Sequence, residues 1–94
     1  MYKEGEINIM KITVYSTKQC PYCVMLKRWL DEKGVKYTNY MVDENPIAAR
    51  EMVRLSGQMG VPFSTVEYGD KQMRKILGFD RANFESVFKL DEAK

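Results

Sequence analysis

From Lys11 to Tyr15 the run Lys-Ile-Thr-Val-Tyr is β-branched and aromatic, has the length of a strand, and stops at Ser16 and Thr17. The period then lengthens from two residues to 3.6. Beginning at Pro21, Val24, Met25, Leu26, Trp29 and Leu30 occupy neighbouring positions of a predicted helix, and Lys33-Gly34 supplies its stop. Val35 to Val42 returns to the pattern of a strand. Asp43-Glu44-Asn45-Pro46 offers an N-cap followed by proline at the first helical position, and the helix it predicts runs to about Ser56. After the loop at residues 57–60, the run from Val61 to Tyr68 reads as a strand. Tyr68-Gly69-Asp70-Lys71 then turns the chain into a further strand ending near Leu77, so these two form a hairpin. Gly78 breaks the chain, and Asp80 caps a last helix that carries Phe84, Val87, Phe88 and Leu90 on its apolar side.

The predicted order is β-α-β-α-β-β-α, an α/β chain. Its first half calls for a parallel strand pair joined by a right-handed crossover, and its hairpin adds antiparallel neighbours, so a four-stranded mixed sheet with helices packed on its faces is expected. Residues 1–9 are weakly patterned and read as an N-terminal extension to a single domain at residues 10–94, with Met10 a second candidate start. Trp29, the methionines, Phe84 and Phe88 have the spacing of core or half-exposed helix contacts, and Arg50, Glu51 and Arg54 that of a solvated face.

Composition narrows the function. With 94 residues, 45% hydrophobic and 30% charged, the chain has enough apolar material for one core and folds without a partner. A net charge of +2 without a dense Lys/Arg block leaves no nucleic-acid footprint. No run reaches the roughly eighteen apolar residues of a membrane span, and residues 1–10 lack the apolar core of a signal peptide. The expectation is a cytoplasmic monomer that binds neither nucleic acid nor membrane.

Two cysteines are too few for a secreted disulfide framework, so their spacing matters more than their number. Cys20-Pro21-Tyr22-Cys23 stands where a strand ends and a helix begins. Cys20 therefore falls at the N-cap, beside unpaired backbone N–H groups and the positive end of the helix dipole, where a thiolate is favoured. Lys18 adds positive charge two residues upstream. Cys23, one turn later on the same face, is placed to attack a mixed disulfide formed at Cys20 and close an intramolecular disulfide. Pro21 stiffens the turn, and Tyr22 presents a ring against which a substrate packs. Two purely structural cysteines would make this placement a coincidence, and a structural zinc needs four ligands where the chain offers two cysteines and no histidine.

The segment Val-Tyr-Ser-Thr-Lys-Gln-Cys-Pro-Tyr-Cys, the Val61-Pro62 entering a strand, and the Gly78-Phe79-Asp80 before the last helix resemble, in order and spacing, the glutaredoxin family, a branch of the thioredoxin-like fold. The likeness covers roughly residues 10–90. It implies a cis proline at Pro62 set against the cysteine pair, with the backbone of Val61 pairing with a bound thiol compound or peptide; from base rates alone Val61-Pro62 would be read as an ordinary trans bond. It further implies a glutathione site made of Lys18, Tyr22, Val61 and a Gly-Gly-x-Asp-Asp-like turn at Gly78, Phe79 and Asp80. Three positions depart from the family pattern: Thr17 stands where the basic residue usually does, Leu77 replaces the first glycine, and Arg81 replaces the second acid.

Glutathione is thus the expected co-substrate, with no tightly bound cofactor or metal, and disulfide-containing proteins are the expected partners. The Gly-Phe-Asp-Arg stretch is also similar to the glutaredoxin-like redoxins that take electrons from thioredoxin reductase and reduce ribonucleotide reductase. A third reading from the same family has Cys20 and external glutathione hold an iron–sulfur cluster between two chains.

Overall fold

The computed structural model describes residues 11–68 and 72–92. Strand β1 (Lys11–Ser16) leads into helix α1 (Pro21–Glu32), strand β2 (Thr38–Met41), helix α2 (Pro46–Ser56), strands β3 (Phe63–Tyr68) and β4 (Gln72–Leu77), and helix α3 (Arg81–Glu92). The sheet order is β2-β1-β3-β4. β1 and β2 are parallel, whereas β3 is antiparallel to both β1 and β4. This is the mixed four-stranded sheet that the residue pattern predicts.

Each helix starts and stops for local reasons. α1 begins with Cys20 in extended conformation and Pro21 inside the first turn. It ends at Gly34 (φ +73°), whose N–H donates to the Asp31 carbonyl at 3.0 Å while the Val35 N–H donates to the Leu30 carbonyl at 3.1 Å. That closure shortens the second strand: it was expected from Val35, but the Val35 backbone is occupied by the helix end, and pairing begins only at Thr38, opposite Thr13. Val35 and Tyr37 instead turn their side chains onto the core. The third strand likewise starts at Phe63 rather than Val61, because Val61-Pro62 is a cis peptide and proline has no N–H for the ladder. The expected turn at residues 69–71, the extension at residues 1–9 and the side chain of Leu90 lie outside what is described.

The central strand β1 is covered on both faces. Ile12 and Val14 meet Leu26, Trp29 and Leu30 of α1, Val66 and Ile76 of the hairpin, and Phe84 and Val87 of α3. On the other face Tyr15 and Phe63 meet Ala48 and Met52 of α2. Truncating Leu26 or Phe84, both fully buried, would leave a cavity costing about 3–5 kcal/mol. Among the described methionines only Met52 is buried in the core; Met25, Met59 and Met73 are exposed. Arg50 and Arg54 are exposed, and Arg54 pairs with Glu51 along the surface of α2. The parallel β1–β2 pair and the β3–β1 register carry the end of β1, the start of β3 and the first turn of α1 to one end of the sheet.

Candidate active site

Cys20 and Cys23 are joined in a disulfide, their Cα atoms 5.2 Å apart. Cys20 is the N-cap of α1: its Sγ accepts the backbone N–H of Cys23 at 3.1 Å, and its carbonyl accepts the N–H of Val24 at 3.1 Å. The sulfur therefore sits in the slot where a cap oxygen normally satisfies a free helical N–H, facing the positive end of the helix. Cys23 is fully buried and Cys20 nearly so, while Tyr22 stands 63% exposed beside them. The pair is therefore open to solvent on the Cys20 and Tyr22 side and closed on the Cys23 side.

Pro62 is at the same end of the sheet. Tyr15 pairs with Phe63, so the next residue of each strand, Ser16 and Pro62, brings the proline to the end of β1 from which the Cys20 loop departs. The Val61-Pro62 bond is cis, as the family resemblance implies. The Pro62 carbonyl accepts the N–H of Gly78 at 2.7 Å, which ties the proline loop to the turn after β4. Gly78 takes a positive φ of +83°, the conformation that a side chain resists.

The remaining predicted residues divide. Phe79 is half-buried, and its ring packs edge-on against Trp29, with centroids 5.9 Å apart, so it anchors the turn to α1. Asp80 lends Oδ1 to the N–H of Asn83 at 3.1 Å and thereby caps α3. Lys18 is exposed, and its ammonium lies 2.7 Å from Glu44. That hydrogen bond and the charge behind it raise the lysine pKa above its ordinary value. The Lys18 backbone N–H donates to Asp43 Oδ2 at 3.1 Å, so the β2–α2 loop is fastened to the segment leading into Cys20.

Reading the sequence missed two groups. Asn45 is the cap that the sequence offers, its Oδ1 accepting the N–H of Ala48 at 3.1 Å, but the sequence reading gave no role to Asp43 and Glu44, which both engage Lys18. The second group lies at the end of β1, where the buried Ser16 hydroxyl donates to Asn39 Oδ1 at 2.7 Å and accepts from Lys27 Nζ at 3.4 Å. Its one sequence signal was the position of Lys27, one turn after Cys23 on the same helical face.

The glutaredoxin family model matches residues 12–64, more than half of the chain. The chain belongs to the glutaredoxin family. It is 46% identical over 52 residues to a glutaredoxin of Neisseria meningitidis, a match covering 54% of this chain and 61% of that protein. Among solved structures, the glutaredoxin of Archaeoglobus fulgidus aligns over 94% of this chain and 96% of its own with a TM-score of 0.69 at 17% identity, which establishes the thioredoxin-like fold. The glutaredoxin-like NrdH-redoxin of Escherichia coli, described by its thioredoxin-like activity profile, aligns over 82% of this chain and 93% of its own with a TM-score of 0.63 at 27% identity.

Proposed function

We propose that the chain is a thiol–disulfide oxidoreductase that uses glutathione to reduce protein disulfides and glutathione mixed disulfides. The observation carrying this reading is the sulfur of Cys20 in the N-cap slot of α1, bonded to Cys23 one turn later. In the reduced protein the Cys23 N–H and the helix dipole would favour the thiolate form of Cys20.

The thiolate attacks one sulfur of a substrate disulfide. A Cys20–substrate disulfide forms as the substrate bond breaks, and the other substrate sulfur leaves as a thiolate that takes up a proton. With a glutathione mixed disulfide, attack at the glutathione sulfur releases the protein thiol. A second glutathione thiolate then attacks the Cys20 adduct, forming oxidised glutathione and restoring the Cys20 thiolate. With a protein disulfide, Cys23 loses its proton, attacks the Cys20 adduct and expels the reduced substrate. The product is the Cys20–Cys23 disulfide, and two glutathione molecules return the two electrons. The Val61 backbone and Pro62 present the edge on which the thiol compound or peptide lies, Tyr22 packs against it, and Lys18 with the Gly78–Asp80 turn serves the charged ends of glutathione. The protein works as a cytoplasmic monomer with no bound cofactor.

A second reading is favoured by a specific observation: Leu77, in place of a family glycine, is 57% exposed at the end of β4, and Lys18 is already paired with Glu44. An apolar border whose lysine is already engaged suits a protein donor better than a charged tripeptide, so thioredoxin reductase would supply the electrons and ribonucleotide reductase would receive them.

Reduction of a mixed-disulfide substrate, followed by NADPH consumption, separates the two. Turnover with glutathione and glutathione reductase is the expected result. Turnover with thioredoxin reductase alone would replace the first reading with the second.

A further inference from the structure

The flank of the redox centre formed by the segment before Cys20 carries one lysine and two acids. Lys18 Nζ is 2.7 Å from Glu44, and the Lys18 backbone N–H is bonded to Asp43 Oδ2 at 3.1 Å. Without Glu44 the Lys18 and Asp43 charges would cancel; with it the flank sums to −1. The backbone bond matters as much as the ion pair, because it fixes the acidic loop beside a segment that enters the nucleophile two residues later. The loop is itself fixed: the Glu44 N–H donates to the Met41 carbonyl at 3.0 Å, and α2 starts directly behind it at Asn45.

We propose that Glu44 sets the charge selectivity of Cys20, disfavouring thiols and disulfides that carry carboxylates, glutathione among them, and favouring neutral or cationic ones. The inference rests on Cys20 as the attacking thiol and adds a specificity residue to the proposed function. Glu44 is a selectivity residue that acts by occupying Lys18 and by its own charge. Because both side chains are largely exposed, the effect is modest and sensitive to salt.

The test uses reduced protein in a Cys23→Ser background, so that a single thiol reacts, and compares alkylation by anionic iodoacetate with that by neutral iodoacetamide. Glu44→Gln is expected to raise the iodoacetate-to-iodoacetamide rate ratio about threefold at low ionic strength. The gain should vanish at ~0.5 M salt, where screening acts over less than about 5 Å. Adding Lys18→Gln should reverse it, since the released ammonium is its source. An unchanged ratio, an equal change with both reagents, or a gain that survives salt or the loss of Lys18 would overturn the proposal.

In the Cys23-containing protein, Glu44→Gln should lower the KM for glutathione by a similar factor with kcat unchanged. A shifted alkylation ratio without glutathione turnover in either protein would keep Glu44 as the selectivity residue and retire glutathione as the co-substrate. A Cys20 inert to both reagents would instead overturn the nucleophile assignment, and this inference with it.

Discussion

The starts of α1 and α2 are built alike. Cys20 and Asn45 have nearly the same backbone angles, φ −129° and ψ 102° against φ −131° and ψ 95°, and each is followed by proline. Each side chain accepts the N–H three residues on, at 3.1 Å. The two differ in the accepting atom. An amide oxygen is a good acceptor at every pH, whereas a neutral thiol sulfur is a weak one. The α2 cap is therefore always satisfied. In the disulfide the α1 cap is filled by a neutral sulfur; in the reduced protein a thiolate would fill it better than a thiol, which is the basis of the reactivity proposed for Cys20.

The largest effect follows from restoring oxygen at the first site. Cys20→Ser keeps a competent cap but removes the nucleophile, so disulfide reduction should fall at least about a thousandfold while helix content and Tm stay close to those of the reduced parent. Activity retained by this variant would detach the chemistry from the cap. Cys23→Ser should be milder and selective: reduction of protein disulfides falls by about tenfold or more, because the resolving thiol is gone, while turnover of a glutathione mixed disulfide persists through Cys20 alone. Equal loss on both substrates would assign Cys23 a role beyond resolution.

The contrast with Asn45 also has a pH signature. If the reduced Cys20 thiol is depressed in the folded state and ordinary in the unfolded chain, the thiolate contributes its full stabilisation above the unfolded value of about 8.5 and loses it as the pH falls through the folded value. Each unit of depression is worth about 1.4 kcal/mol. The Tm difference between the reduced Cys23→Ser protein and its Cys20→Ser derivative should thus widen in favour of the thiol as pH rises across this window. A difference that stays flat would mean that the cap does not discriminate thiolate from thiol.

These caps were legible in the sequence because capping is local: a side chain, a proline and the next turn suffice. The strand order was legible for a similar reason, since β1, the hairpin and their connections leave few topologies open. What stayed hidden depended on competition for a backbone group or on partners distant along the chain. Val35 to Tyr37 have strand-like residues, yet the end of α1 takes the Val35 N–H. Lys18 looked like a free cation beside a thiol, and its engagement with Glu44 requires the parallel pairing of β1 and β2 that brings two loops together. The cis bond at Pro62 came from family resemblance, because no local signal in Gly60-Val61-Pro62 separates cis from trans.

Asn45→Ala should destabilise the protein by about 1 kcal/mol and leave the kcat of disulfide reduction unchanged, since its cap carries no chemistry. An activity loss larger than the loss of folded protein would show that α2 also positions the Glu44 loop.

The third cap, Asp80 on α3, lies between the other two, because it serves a helix and, in the proposed function, also belongs to the turn that meets glutathione. Asp80→Ala removes both roles, whereas Asp80→Asn keeps an oxygen for the Asn83 N–H and removes only the charge. The stability change for the asparagine variant should be a few tenths of a kcal/mol, the smallest effect predicted here, since asparagine caps about as well as aspartate and only the carboxylate's attraction to the helix dipole is lost. Its KM for glutathione should nevertheless rise about as much as that of the alanine variant. Asparagine restoring KM together with stability would mean that Asp80 acts only through the cap, and that the turn meets glutathione with backbone groups alone.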